Sequence, residues 1–259
     1  MLWTTHTGLA VFGLSLIALV IGSFLNVVIY RLPLMHDPKA PPYKIFNLAW
    51  PGSFCPHCKT PLRIRDNIPL LSFMYLKGRC ASCQQAISWR YPLIEALSLV
   101  LTLALLFHFG WHITLIPALF LTYSLLALAA IDINEQILPD GITLPLLWVG
   151  LAVNSVDLYT PAFDAIWGAV LGYTLLFMVD RLYYLVRKQS GIGGGDCKLF
   201  AALGAFFGVQ ALLPIILAAS MLGLCVALLG MAMGKVKYHI PLAFGPHLAV
   251  AGWGYLFFM

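Results

Sequence analysis

Two carboxylates and two cysteine pairs are the groups in this sequence whose types and spacing could do chemistry. Asp196 follows three glycines in Gly193-Gly194-Gly195-Asp196-Cys197-Lys198, where a basic loop meets a long apolar run. Glycine lacks Cβ, so such a stretch can take dihedrals closed to other residues and can admit another chain closely. Asp132 closes a second apolar run. Ionisable groups at a membrane boundary are costly and usually functional. Two carboxylates held close together can share one proton, so that one serves as acid and the other as base. The base activates a water and the acid protonates the carbonyl or the leaving amine, which is peptide hydrolysis without a covalent intermediate. The rival reading, from another class, is a cation-coupled membrane transporter with a structural zinc loop, which would need acids near the bilayer midplane.

The cysteines read as Cys55-Pro56-His57-Cys58 and Cys80-Ala81-Ser82-Cys83, with 21 residues between the pairs. Two thiolates on each of two tight turns complete a tetrahedral Zn²⁺ site, one ion per chain. A disulfide pair or redox thiols is the alternative; in a reducing compartment this pattern favours zinc. A four-thiolate shell has no open position, so the metal is expected to be structural and His57 to stay outside the shell. A third reading makes the chain a non-enzymatic zinc scaffold that docks onto a larger complex.

These groups must be positioned by a chain that is 61% hydrophobic and 10% charged, against about 25% charged in soluble domains. The expected fold class is an all-α polytopic membrane protein of about eight transmembrane helices with a small cytoplasmic zinc-binding domain. The spans are drawn at 8–30, 92–109, 112–131, 141–156, 163–185, 197–209, 211–233 and 242–258. The domains are 1–30, a first transmembrane helix; 31–91, a cytoplasmic tetracysteine zinc domain; and 92–259, the transmembrane domain with both aspartates. The first run has no basic residue before it and exceeds a signal-peptide core, so it reads as an uncleaved span. All fifteen Lys and Arg fall in three loops of one side: nine in 31–90, four in 181–198, and Lys235 and Lys237. The positive-inside rule makes that side cytoplasmic and the N-terminus periplasmic. The net charge of +5 therefore marks orientation in a lipid bilayer, not nucleic-acid binding.

Two crossings separate Asp132 from Asp196, so both face the same side. The loop after Asp132 carries Glu135 and Asp140 and no base; its negative patch suits a positively charged peptide. Asp140 is expected to cap the next helix. Asp132 at a helix C-terminus is disfavoured by the macrodipole and needs another explanation. The run 197–209 rises only ~20 Å, so it either starts below the headgroups or is re-entrant. Gly168 with Gly172, and Gly204 with Gly208, are spaced for close helix packing. Glu95 is the one charge between Arg90 and Asp132 and reads as a partner for Arg31 or Arg90, with a functional acid as the alternative.

The chain resembles the type IV prepilin peptidase family over almost its whole length. The residues that carry this are Gly22-Ser23-Phe24-Leu25-Asn26-Val27-Val28-Ile29-Tyr30-Arg31-Leu32-Pro33, the two Cys pairs, Ile87-Ser88, Arg90-Tyr91-Pro92 and Glu95. They continue with Ile131-Asp132, Leu138-Pro139-Asp140 and Gly193-x-Gly195-Asp196-x-Lys198-Leu199. The resemblance implies a bacterial inner-membrane enzyme with Asp132 and Asp196 as catalytic aspartates. It implies cleavage of a basic leader from prepilins or type II secretion pseudopilins, after a Gly and before a hydrophobic helix. It also implies methylation of the new N-terminal residue with S-adenosylmethionine as donor. Gly193, Gly195 and Glu135 are then candidate substrate-loop residues. The resemblance places methyl transfer with the N-terminal, cysteine-containing part, where Asn26, Arg31, Gly78, Arg79 and Glu95 are candidates; packing or charge pairing explains each equally well.

Overall fold

Long apolar runs without interior charge fold as helices, because a helix satisfies its own backbone hydrogen bonds where lipid offers no partner. The computed structural model describes residues 2–36, 47–189, 191–234 and 243–258. Lys39, Lys44, Lys235 and Lys237, and the start of the span drawn from residue 242, lie outside them. The described chain is all-helical: α1 (Leu2–His36), α2 (Leu71–Tyr75), α3 (Arg90–Phe109), α4 (Leu115–Glu135), α5 (Asp140–Asn154), α6 (Ala162–Arg187), α7 (Gly194–Phe207), α8 (Val209–Ala232) and α9 (Gly245–Tyr255). It forms two compact units, Met1–Trp111 and His112–Met259.

In the first unit α1 packs on α3. Gly22 permits the contact, since a Cβ there would lie 2.9 Å from the Glu95 Cα, and the Ser98 hydroxyl donates to the Ala18 carbonyl at 2.9 Å. The helix α1 does not stop near residue 30 but runs through Pro33 to His36, so Arg31 is helical.

In the second unit α7 is the central element. Every residue from Asp196 to Phe207 except Lys198 is buried, so this helix spends its apolar residues on protein. Its neighbours approach at glycines. A Cβ on Gly168 would lie 2.9 Å from the Gly204 carbonyl carbon, and one on Gly172 would lie 2.8 Å from the Phe200 carbonyl oxygen. The expected small-residue contacts are therefore real α6–α7 backbone contacts. At the far end Asn154 donates to the Ala205 and Phe206 carbonyls at 2.8 and 2.9 Å, and its Oδ1 accepts the Tyr159 and Thr160 amides. One side chain thus serves two of the orphan carbonyls at the end of α7.

Five described helical stretches are long and apolar enough to cross a membrane: Gly8–Met35, Arg90–Phe109, Leu115–Glu135, Ala162–Arg187 and Val209–Ala232. The count of eight expected from the sequence exceeds this. The difference lies in α5, α7 and α9, of 15, 14 and 11 residues, which rise only ~16 to ~22 Å against about 30 Å of hydrocarbon.

Candidate active site

Asp132 lies one turn before the end of α4, because the helix continues past Ile131 to Glu135. Its carboxylate meets the start of α9: Oδ2 accepts the Gly245 N–H at 3.0 Å. The first amides of a helix have no internal partners and carry positive partial charge, so α9 supplies what the end of α4 withholds. Gly245 leaves room for the carboxylate, since a Cβ there would lie 2.6 Å from Oδ2 and force it to shift. His247, on the same first turn, is within electrostatic range of Asp132, and its Nδ1 lies 3.0 Å from the Ala243 carbonyl oxygen.

Asp196 is the third residue of α7, after the N-cap Gly193. Its amide donates to the Gly193 carbonyl at 3.0 Å. Its Oδ1 is buried without a hydrogen-bond partner. Asp132 and Asp196 are 5% and 8% exposed, and their charges interact. Leu138 joins the two helix starts. A Cβ on Gly195 would lie 2.7 Å from the Leu138 Cβ, and one on Gly245 would lie 3.2 Å from the Leu138 Cδ1. The second unit thus brings together the two aspartates, Gly195 and the loop after α4.

The glycines before Asp196 do not use left-handed dihedrals: Gly193 is extended at φ −65°, and Gly194 and Gly195 also lack positive φ. Their use is space. Gly195 accommodates Leu138, whereas a Cβ on Gly194 would meet nothing within 4 Å. Asp140 does not cap α5. Pro139 holds the N-cap position with no side-chain cap bond, and Asp140 in the first turn pairs with Lys198 of α7 at 2.6 Å. Glu135 and Asp140 are exposed at this end of the unit. Two residues here escaped the sequence reading. Asn154 is one, at the far end of α7. Asp180 is the other; a lone acid beside a basic run, eleven residues before a glycine loop, was the available signal.

In the first unit the Cys55, Cys58, Cys80 and Cys83 Sγ atoms all lie within 4.8 Å of one another. The Cys55–Cys83 and Cys58–Cys80 separations are both 4.0 Å. That excludes disulfides, which need about 2.05 Å, and fits a tetrahedron of ~2.3 Å Zn–S bonds, whose edges are about 3.8 Å. The two knuckles share one backbone design. Cys55 N–H donates to Thr60 and Lys59 N–H to Cys55; Cys80 N–H donates to Gln85 and Gln84 N–H to Cys80. Lys59 and Gln84 hold left-handed φ values of 59° and 58°. Hydrogen bonds from Thr60 pull the Cys58 thiol down to about 6, toward the thiolate a metal requires, while burial and the neighbouring thiols push Cys83 up to about 11.

The five methyl-transfer candidates also lie in this unit. Arg31 donates to the Asn47 and Gly52 carbonyls at 2.9 and 3.1 Å and lies over the Phe54 ring, so it ties α1 to the first knuckle. Glu95, expected to pair with Arg31 or Arg90, accepts the Leu70 N–H at 2.8 Å. Asn26 donates to the Tyr91 carbonyl at 3.1 Å, and its buried Oδ1 has no partner. Gly78 has φ +70° with its Cβ direction filled by Phe73. Arg79 is exposed, and its residue makes an isolated bridge with Ala86.

Comparison with known proteins gives the same division of the chain. The bacterial peptidase A24 N-terminal domain matches residues 16–109, and the type IV leader peptidase family matches residues 119–228. A prepilin leader peptidase/N-methyltransferase of Dickeya chrysanthemi is 47% identical over 255 residues, covering 93% of this chain and 89% of the relative. Proteins of the same name from Stutzerimonas stutzeri and Neisseria gonorrhoeae are 43% and 42% identical, with 92% of this chain and 86% and 87% of theirs covered. No solved structure matches.

Proposed function

The chain belongs to the prepilin leader peptidase/N-methyltransferase family, and on that premise we propose that Asp132 and Asp196 are the aspartyl pair that cuts the leader. One observation carries this: two buried carboxylates from α4 and α7, held at the starts of α9 and α7, with interacting charges and a shared neighbour in Leu138. The carboxyl that keeps the shared proton donates to the scissile carbonyl; the ionised one takes a proton from the attacking water. The open side of Gly194 is where a substrate backbone fits beside the pair. Gly193 and Gly195 form its frame. Exposed Glu135 attracts the basic residues of the leader. Prepilins or pseudopilins are the substrates, and the bilayer receives their hydrophobic helices.

Cys55, Cys58, Cys80 and Cys83 hold a structural Zn²⁺, which supplies folding energy to a segment with little apolar core. S-adenosylmethionine supplies the methyl group for the new N-terminal amine. Among Asn26, Arg31, Gly78, Arg79 and Glu95, the buried free acceptor of Asn26 is the feature that a bound polar group would satisfy. The Lys- and Arg-bearing loops face the cytoplasm of the inner membrane, with the N-terminus in the periplasm. The transporter alternative draws no support from the names of the matched relatives.

Asp132→Asn and Asp196→Asn proteins, purified and mixed with a prepilin, should accumulate normally and leave the leader attached. Near-normal cleavage by either would refute the dyad.

A further inference from the structure

The loop that enters α7 is tied to α6 by Asp180, which stands outside the proposed aspartyl pair. Asp180 lies eighteen residues after the start of α6, a rise of ~27 Å. A single oxygen, Oδ1, accepts the Gly191 N–H at 2.9 Å and the Ile192 N–H at 3.0 Å. Three residues further along α6, on the same face, the Tyr183 ring covers Gly191, where a Cβ would lie 2.8 Å from ring carbon Cδ1. Hydrogen bonds from amides to a carboxylate are stronger than neutral ones. Carboxylate and ring thus both contact the loop just before the Gly193 N-cap of α7.

The consequence falls on Asp196. Its Oδ1 has no hydrogen-bond partner, and the hydrogen bond that does reach its carboxyl comes from the Gly193 backbone, so its aim depends on where Gly193 lies. Gly195 is fixed by Leu138 on one side, while Gly194 is open. Lys198 pairs with Asp140 two residues beyond Asp196, and upstream of Gly193 the anchor is the loop that Asp180 holds. The amides of Gly191 and Ile192 are already engaged, which leaves the approach at Gly194 to the substrate.

We propose that Asp180 is a positioning residue for leader cleavage: by clamping the Gly191 and Ile192 amides it fixes the start of α7 and the direction of the Asp196 carboxylate. This rests on the aspartyl-pair reading. Displacement of a reacting group by about 1 Å can lower a rate by about a hundredfold.

The test uses the full-length enzyme in lipid nanodiscs with a purified prepilin, and a pre-cleaved pilin as the methyl acceptor. For Asp180→Ala, kcat for cleavage should fall by about ten- to a hundredfold with KM within about twofold. Methyl transfer to the pre-cleaved pilin should stay within about twofold. Hydrogen exchange at the Gly191 and Ile192 amides should accelerate. Asp180→Asn keeps an Oδ1 acceptor and should recover most of the lost kcat. A wild-type kcat in Asp180→Ala overturns the proposal. So does a loss shared in proportion by methyl transfer, or one that Asp180→Asn leaves unrelieved. An Asp132→Asn control that cleaves normally would sink the dyad reading. A dead Asp132→Asn beside an unimpaired Asp180→Ala sinks only the clamp.

Discussion

At the scale of single residues, the site depends on glycines for the space they leave. Gly245 gives its amide to Asp132, and a Cβ there would sit 2.6 Å from the acceptor oxygen. Gly245→Ala should therefore move the carboxylate and lower the rate of leader cleavage by about tenfold or more, measured as initial rate on a prepilin. Gly194→Ala is the matched control, because its Cβ meets nothing within 4 Å: it should fold normally and raise KM for the prepilin if the substrate backbone passes there. An unchanged KM would remove Gly194 from the substrate path. Both aspartates were legible in the sequence as acids at the edges of apolar runs. Gly245 and Leu138 were not, since their roles come from contacts across the fold that no local spacing encodes.

Among the elements, α7 decides the most. The sequence drew it as a short span over 197–209, but its apolar residues are buried against protein. The Gly168–Gly204 contact sets backbone against backbone, so neither partner can yield. Gly168→Ala should destabilise the protein by about 1–3 kcal/mol, while Gly13→Ala, with nothing within 4 Å, should not; thermal unfolding in detergent compares them. Asn154→Leu strands two carbonyls and two amides and should cost about 2 kcal/mol or more in the same assay. The Lys198–Asp140 pair is partly exposed, at 32% and 54%. Removing it with Asp140→Asn should change stability by less than about 1 kcal/mol. The glycine spacing was visible in the sequence, but which helix each pair met was not.

For the whole molecule, the two compact units separate the chemistry. Both aspartates and the contacts that hold them lie in His112–Met259, and all four clustered cysteines lie in Met1–Trp111. Purified protein should carry about one zinc per chain. Cys55→Ser should lose the metal and render the cysteine segment protease-sensitive while leader cleavage persists. Cleavage lost together with the metal would show that the dyad depends on the zinc unit. The sequence by itself determined the helical membrane class and the spacing of the cysteine pairs, and it placed both aspartates at the ends of apolar runs, because such runs and spacings are local properties of the chain; the family showed through resemblance to known motifs. Only the tertiary structure decided that Asp132 is answered by the start of α9, that Asp140 joins α7 instead of capping α5, and that Asp180 holds the glycine loop. Those pairings join residues 113, 58 and at most 12 positions apart. Even the shortest depends on how the chain turns after α6, which packing and not local pattern determines.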